Sequence, residues 1–337
     1  MHRILFIGAG SIGERHVRCF KATGRVEVAI CEPRDDPRRQ VAERYGVLRA
    51  YAGLDEALRE SFDAALIAAP TNHHIPIATR LAEAGLHLLI EKPLSTSLDG
   101  VEPLQKLVAD RRLKAAVLYV WRASPALSAM RDAIRAGRFG MPVQLMSVSG
   151  QHFPFYRPAY REVYYRDRTA GGGAIQDVLT HAFNMGEWLV GPIDSLVADA
   201  EHKVLPGVEV EDVVHVLARH GEVMACYSLN QFQPPNEATI TVHCERGSAR
   251  FDMIAQRWLW ADEPGGSWHV EDFGRLERDD LFIHQANALL DMLEGRREAP
   301  CTIEEAAQTL RVSLATLDSA DNRFKPIQVR PVTQGRH

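Results

Sequence analysis

Arg3-Ile4-Leu5-Phe6-Ile7-Gly8-Ala9-Gly10-Ser11-Ile12-Gly13 is the stretch on which the fold turns. An apolar run of strand length ends on a GxGxxG turn, and a helical pattern follows with Ile12, Val17 and Phe20 on one side. That context gives the motif its meaning. Gly8 permits the tight turn, Gly10 lets backbone approach a pyrophosphate, and Gly13 lets helix and strand pack closely. The helix start at Ser11 and Ile12 offers N–H groups and the positive end of a dipole to phosphate. The next apolar run, 26–31, ends on Glu32, which stands 19 positions beyond Gly13. An acid about 20 residues on takes the adenosine ribose hydroxyls, so Glu32 favours NAD over NADP. Arg34 is able to turn in and pair a 2′-phosphate, which keeps NADP open.

Outward from that turn the β/α alternation persists. An apolar run at 62–69 enters Pro70-Thr71-Asn72-His73-His74, and the helix behind it carries Ile75, Ala78, Leu81 and Ala82 inward before Gly85 stops it. Then comes Leu88-Leu89-Ile90-Glu91-Lys92-Pro93-Leu94-Ser95, an apolar strand running straight into an acid, a base and a proline. A Lys where such a strand ends belongs at the mouth of a cleft rather than on a solvated face. The cluster from Ser95 to Ser97 is expected to cap a helix with Val101, Leu104, Leu107 and Val108 inward, and one more strand is read at 114–120. Alternating elements with short links mean an α/β doubly wound parallel sheet of the Rossmann kind. Its ligand lies at the carboxyl ends of the strands, where Thr71, Asn72, Glu91 and Lys92 stand.

After Trp121-Arg122 the pattern changes. A helix at 125–136 is closed by Gly137, and strands follow at 143–148, 195–200, 213–218, 223–229, 238–244, 249–253 and 257–261. Short turns such as Glu245-Arg246-Gly247 make this an α+β region with a large, mostly antiparallel sheet, whose outer face is a candidate oligomer interface. Helices at 281–293 and 304–317 close the chain. The expected division is 1–122 for dinucleotide binding and 123–337 for substrate binding and oligomerisation.

Within the second part lies Ala170-Gly171-Gly172-Gly173-Ala174-Ile175-Gln176-Asp177-Val178-Leu179-Thr180-His181. Its glycines let backbone lie close to something. A helix at 175–190 sets Val178, Ala182, Met185 and Leu189 inward and presents Asp177 and His181, four apart, from another face. An acid and an imidazole aimed at one point suit proton transfer; alone, they better suit a dipole-stabilising acid and a satisfied histidine, a balance that the glycine run and Lys92 reverse. The segment Phe155-Tyr156-Arg157-Pro158-Ala159-Tyr160-Arg161 offers aromatic faces for the C–H surface of a sugar and Arg and Tyr tips for hydroxyls or a carboxylate. The competing reading is a solvated surface loop.

Composition bounds the rest. A chain of 337 residues, 46% hydrophobic and 25% charged, is that of about two ordinary soluble domains. The net charge of −5 argues against nucleic acid or an anionic membrane as partner. No apolar run approaches the ~20 residues needed to span a bilayer. Met1-His2-Arg3 leads directly into a strand, without the n-region and h-region of a secretory leader. Cys19, Cys31, Cys226, Cys244 and Cys301 are scattered with no CxxC spacing, which favours reduced thiols in a cytoplasmic protein and gives no metal site.

The glycine turn, Ala69-Pro70-Thr71-Asn72-His73-His74, Glu91-Lys92-Pro93 and Gly171-Gly172-Gly173 with Asp177 and His181 occur in the order seen in the Gfo/Idh/MocA oxidoreductases. This is the family of glucose–fructose oxidoreductase and inositol dehydrogenase, and the resemblance covers essentially the whole chain. It implies a Rossmann domain followed by an open-faced β-sheet domain in a homodimer or homotetramer. It implies that Lys92 touches both the nicotinamide ribose and the reacting substrate oxygen, with the Lys92–Pro93 bond often cis, and that His74, Asp177 and His181 carry family roles. Two departures stand out. Ala69 occupies a position where the family usually has Thr or Ser, and Tyr119-Val120-Trp121-Arg122 lacks the Asn that often precedes the Arg.

The site expected from all this has Lys92, Asp177 and His181 as catalytic residues. Gly8, Gly10, Ser11, Ile12, Gly13, Glu32, Arg34, Pro70, Thr71, Asn72, His74, Glu91 and Lys92 hold NAD, or NADP. Lys92, Arg122, Arg157, Tyr160, Asp177 and His181 contact the substrate. The expected reaction moves hydride between the nicotinamide and a secondary alcohol or ketone of a sugar, sugar acid or inositol-type polyol. His181 is the candidate proton acceptor and Lys92 the stabilising cation, or else Lys92 is itself the base. The alternative is a redox-neutral glycosidase or lyase that keeps NAD bound for transient oxidation. A nucleotide-sensing regulator is a third class, against which Lys92, Asp177 and His181 argue, since a sensor needs only the first half.

Overall fold

The computed structural model describes residues 1–274, 276, 277 and 279–329. The chain forms two compact units, Met1–Ala123 with Leu276–Ala307, and Ser124–Arg275 with Gln308–His337. The segment from Leu276 to Ala307, expected with the second half, thus returns to the first.

In the first unit, β1 (His2–Ile7), β2 (Val26–Cys31), β3 (Arg49–Tyr51), β4 (Ala64–Ile67), β5 (His87–Glu91) and β6 (Ala115–Leu118) form one sheet in the order β3-β2-β1-β4-β5-β6. Every pairing is parallel. The strand order reverses between β1 and β4, which is where an open parallel sheet places its ligand crevice. The crossovers from β1 to β2 and from β4 to β5 run in opposite directions. Right-handed connections therefore set α1 (Ser11–Ala22) and α2 (Asp35–Tyr45) on one face, and α4 (His74–Glu83) and α5 (Val101–Asp110) on the other. A single turn, α3 (Leu54–Ala57), links β3 to β4. Ala64–Ile67 and Leu88, Leu89 and Ile90 are wholly buried, as continuous apolar strands covered on both faces must be. From late in the chain, α9 (Asp280–Leu293) adds Ala286, Leu289, Leu290 and Leu293 to this core, while Arg18 pairs with Asp279 and Arg25 with Asp291.

Two local expectations are corrected. Arg49-Ala50-Tyr51 has no apolar run to signal a strand, yet it pairs with β2, so the strand read as third is the fourth. The Ser95–Ser97 cluster does not cap α5. The Ser97 Oγ accepts from the Asp99 N–H at 3.2 Å, and Gly100, at φ +74°, occupies the N-cap.

The second unit opens with α6 (Pro125–Arg135), whose N-cap Ser124 accepts from the Leu127 N–H. Its sheet contains β7 (Pro142–Gly150), β8 (Ser195–Glu201), β9 (Val213–His220), β10 (Val223–Asn230), β11 (Glu237–Cys244), β12 (Gly247–Asp252), β13 (Arg257–Ala261), β14 (His269–Asp272) and β15 (Ile327–Gln328). Their order is β14-β13-β12-β11-β7-β10-β9-β8-β15, with β7 and β10 the parallel pair. Strand alternation is clean: Val223, Ala225, Tyr227 and Leu229 of β10 are buried, and Met224 faces out. The remaining helices are α7 (Phe153–Tyr156), α8 (Thr180–Val190) and α10 (Ile303–Asp321). Phe153, Tyr160, Tyr165, Leu205, Val208 and Val210 form a small separate core under the segment 151–170. Among the described residues no helix is long and apolar enough to cross a membrane.

Candidate active site

The glycine turn divides its labour. Gly8 has φ +96°, and a Cβ there would lie 2.7 Å from the Ala68 carbonyl oxygen. A Cβ on Gly13 would collide with the Gly8 carbonyl. These two glycines are required by the fold. Gly10 is different: the nearest atom to its missing Cβ is Arg34 Nη2 at 4.0 Å, so the space above it is open. That opening, at the start of α1 where Ser11 is exposed and Ile12 half-buried, fits a pyrophosphate.

Beside it, Glu32 is buried at the end of β2. Its carboxylate accepts from the Ala9 N–H at 2.9 Å, and from the Arg34 N–H at 3.0 Å, Nε at 2.8 Å and Nη2 at 3.0 Å. Burial alone would push this carboxyl up. The Arg34 guanidinium and the two backbone N–H groups outweigh burial and hold it below the usual carboxylate range. An ionised acid at this point, next to an open glycine turn, fits the diol of a dinucleotide ribose.

The turn after β4 has Pro70 and Asn72 exposed and Thr71 buried. His74, expected at the cofactor, is instead turned inward: its Nδ1 lies 3.0 Å from the Pro93 carbonyl and its Nε2 2.9 Å from the Ala69 carbonyl. Burial holds this imidazole below its ordinary range, opposed by those two carbonyls and by the charge of Glu91. Glu91 is likewise occupied. One carboxylate oxygen meets His16 Nε2 at 2.5 Å and the other accepts from the Lys92 N–H at 2.9 Å. Lys92 is half-buried, and the Lys92–Pro93 bond is cis. Arg122, expected at the substrate, is buried, with Nη1 donating to Glu305 at 2.7 Å and to the Pro300 carbonyl at 3.1 Å. Arg122 therefore braces the start of α10, because a guanidinium taken out of water needs a paired acceptor.

In the second unit the glycine run has an explanation. A Cβ on Gly172 would collide with the Tyr164 and Tyr165 carbonyls, and one on Gly173 would lie 2.5 Å from the Glu211 Oε1. Glu211 is buried and accepts from the Ile175 N–H at 3.1 Å and from Arg168 Nη2 at 3.1 Å. The helix it anchors does not start as an α-helix: Ile175–Leu179 is a π-turn, and α8 follows from Thr180. Such widened turns occur often at functional sites. Asp177 stands in the π-turn and accepts from the Tyr164 Oη at 2.8 Å, while His181 lies in the first turn of α8. Tyr160 is withdrawn from the surface, its Oη donating to the Pro206 carbonyl at 2.7 Å, whereas Phe155, Tyr156 and Arg157 are exposed. Burial pushes the Tyr165 hydroxyl well above its ordinary range, and the charges of Asp177, Glu211 and Asp212 add to this.

Three residues here escape sequence reasoning. His16 is a polar side chain on the inner face of α1. Tyr164 lies just past the aromatic and Arg segment. Glu211 is one of two adjacent acids before β9. Only His16 carries a signal in the sequence, as a polar break in an apolar stripe.

A family model described as an oxidoreductase family with an NAD-binding Rossmann fold, Gfo/Idh/MocA, matches residues 2–119, and that family's C-terminal domain model matches 127–250. An inositol 2-dehydrogenase of Rhizobium meliloti is 29% identical over 191 residues, which span 56% of this chain and 55% of that relative. The match thus covers about half of that protein's length. The myo-inositol dehydrogenase Hyg17 of Streptomyces leeuwenhoekii is 25% identical over 334 residues, spanning 96% of this chain and 99% of the relative. A levoglucosan dehydrogenase solved with NADH superposes with TM-score 0.89 at 18% identity, covering 98% of this chain and all of the other, which speaks to fold alone.

Proposed function

The chain belongs to the Gfo/Idh/MocA oxidoreductase family, and from that premise we propose that it is an NAD-dependent dehydrogenase acting on a secondary alcohol of a sugar, sugar acid or inositol-type polyol. The observation that carries this is the open glycine turn beside an ionised, buried Glu32, on the same sheet as Lys92 at the end of β5. The names of the relatives support an inositol-type polyol as substrate.

Bound NAD supplies the acceptor for the hydride that leaves the substrate carbon. The chain's own residues do the rest. The glycine turn, Glu32, Thr71 and Asn72 hold the dinucleotide. Lys92, as a cation, stabilises charge on the substrate oxygen as its C–H bond breaks and the C=O bond forms. The hydroxyl proton passes to His181, while Asp177, steadied by Tyr164, orients that imidazole or binds a neighbouring hydroxyl. A Lys92 base is the second assignment for that proton. Arg157 serves the substrate only if its removal raises KM. We place self-association, as homodimer or homotetramer, on the outer face of the nine-stranded sheet, in a cytoplasmic enzyme.

A panel of inositols, sugars and sugar acids, scored for NADH formation, tests the reading. Net NADH with at least one of them is expected. Lys92→Ala is expected to lower kcat by about 10³-fold, with the Kd for NAD held within a few-fold. Turnover without net NADH would move the reaction to the redox-neutral class, and near-normal kcat in Lys92→Ala would remove Lys92 from the chemistry.

A further inference from the structure

Lys92 stands between two residues that are each gripped by a buried histidine. On one side the Glu91 carboxylate, itself buried, meets His16 Nε2 at 2.5 Å and also receives the Lys92 N–H at 2.9 Å. On the other side the Pro93 carbonyl lies 3.0 Å from His74 Nδ1, and the far nitrogen of that ring lies 2.9 Å from the Ala69 carbonyl. His16 comes from α1 and His74 from α4, helices on opposite faces of the parallel sheet. The two rings therefore reach the end of β5 from above and below. We propose that His16 and His74 are positioning residues that fix the direction of Lys92 and tie it to the two turns that receive the cofactor. This rests on the reading of Lys92 as a functional cation.

The packing of these helices does not require histidine. α1 is held to its sheet by Val17 and Phe20, and α4 by Ile75, Ala78, Leu81 and Ala82, all buried. Both imidazoles are essentially removed from water, at 0% and 1% exposure, where an apolar side chain would cost nothing in lost hydration. What histidine adds is a directed bond on a stiff ring. The location is also specific. α1 begins at Ser11 within the glycine turn, five residues before His16, and α4 begins directly after the turn Thr71–His73. Each histidine thus connects one cofactor-facing turn to one neighbour of Lys92. A shift of either turn is transmitted to the lysine through a single side chain. Placement errors near 1 Å cost about 10²-fold in rate, so this linkage is of the size that matters for turnover.

The test separates placement from fold and from cofactor binding. His16→Phe and His74→Phe keep a ring of similar bulk and remove the bond; His16→Gln and His74→Gln restore a donor. Four quantities are read: kcat, KM for the polyol, the Kd for NAD in the ligand-free protein, and amide hydrogen exchange of the peptide 88–95 with no cofactor present. The Phe variants are expected to lose about 30- to 100-fold in kcat, with KM and Kd within threefold. Exchange at Lys92 should rise, and each Gln variant should recover a large part of both effects. Unchanged kcat and exchange in both Phe variants overturns the proposal. So does a loss of kcat that merely follows a lost folded fraction or lost NAD affinity. Should a Phe variant fail to fold, Glu91→Gln, which leaves both rings in place, serves instead: faster exchange at Lys92 with the Kd for NAD kept supports the device, and unchanged exchange overturns it. If Lys92→Ala retains turnover, the reaction reading fails, while the exchange measurement still decides whether the histidines hold Lys92.

Discussion

In the proposed function, Arg34 and Glu32 act as a pair in the choice between NAD and NADP. The guanidinium holds the carboxylate through Nε at 2.8 Å and Nη2 at 3.0 Å, and the same Nη2 lies 4.0 Å from the space above Gly10. In the proposed dinucleotide site Glu32 therefore has two tasks: to offer oxygens to a ribose diol, and to keep Arg34 from offering its charge to a 2′-phosphate. Wild-type protein is expected to bind NAD well above NADP by calorimetry. In Glu32→Gln the Kd for NADP should fall by about tenfold while that for NAD rises, because the freed guanidinium gains an anion. Adding Arg34→Gln should abolish the gain; a gain that survives the double substitution would remove Arg34 from the account. Because the folded Glu32 carboxyl lies below its usual range, the NAD preference should persist as pH falls into that range and fail only beneath it. At this scale the sequence told much about type and less about direction. The spacing of Glu32 behind Gly13 was legible. That His74, Arg122 and Tyr160 turn inward to backbone carbonyls was not, because a rotamer is set by partners distant in the chain.

The glycine-rich elements show why equal residues play unequal parts. Gly173 has φ +91°, and Glu211 Oε1 lies 2.5 Å from where a Cβ would stand, so Gly173→Ala meets both backbone strain and a buried carboxylate. A loss of about 3 kcal/mol in stability is expected, read as a lowered denaturant midpoint at constant slope. Gly10, at φ −72° with open space above it, tolerates Ala in the fold. Gly10→Ala should therefore leave the midpoint unchanged and weaken NAD by about tenfold or more, since the methyl group fills the phosphate's place. An unfolded Gly10→Ala, or one with normal NAD affinity, would contradict the division drawn here. The need for closeness was visible in Gly171-Gly172-Gly173, but its objects were not: Tyr164 and Tyr165 arrive through a loop, and Glu211 from 38 positions beyond Gly173. The π-turn at Ile175–Leu179 was equally hidden, since the same residue types serve α and π geometry.

For the whole molecule, the parallel sheet followed from the alternation of apolar runs and helices, and the antiparallel sheet from the spacing of strands and turns. What the pattern did not give is partnership. The stripe of Ala286, Leu289, Leu290 and Leu293 announces a helix with one buried face, yet not that this face completes the first unit's core. Likewise β7 pairs with β10 across a long separation, and that pairing decides which residues line up on the outer face. Val197, Leu217, Cys226, Met146 and Thr241 fall in one cross-strand row of five adjacent strands. Leu217 is 62% exposed, Met224 55%, Met146 39% and Val148 37%. Apolar side chains in register on a broad sheet face suit a second copy of the same surface, packed face to face. The protein is expected to sediment as a dimer or tetramer at micromolar concentration. Leu217→Asp with Met224→Asp should yield monomers, because two copies would then bury unpaired carboxylates against each other. The Kd for NAD of the monomer should stay within a few-fold of wild type, since the glycine turn and Glu32 belong to the other unit. A wild-type protein that sediments as a monomer, or a doubly substituted one that stays assembled, would move the interface off this face.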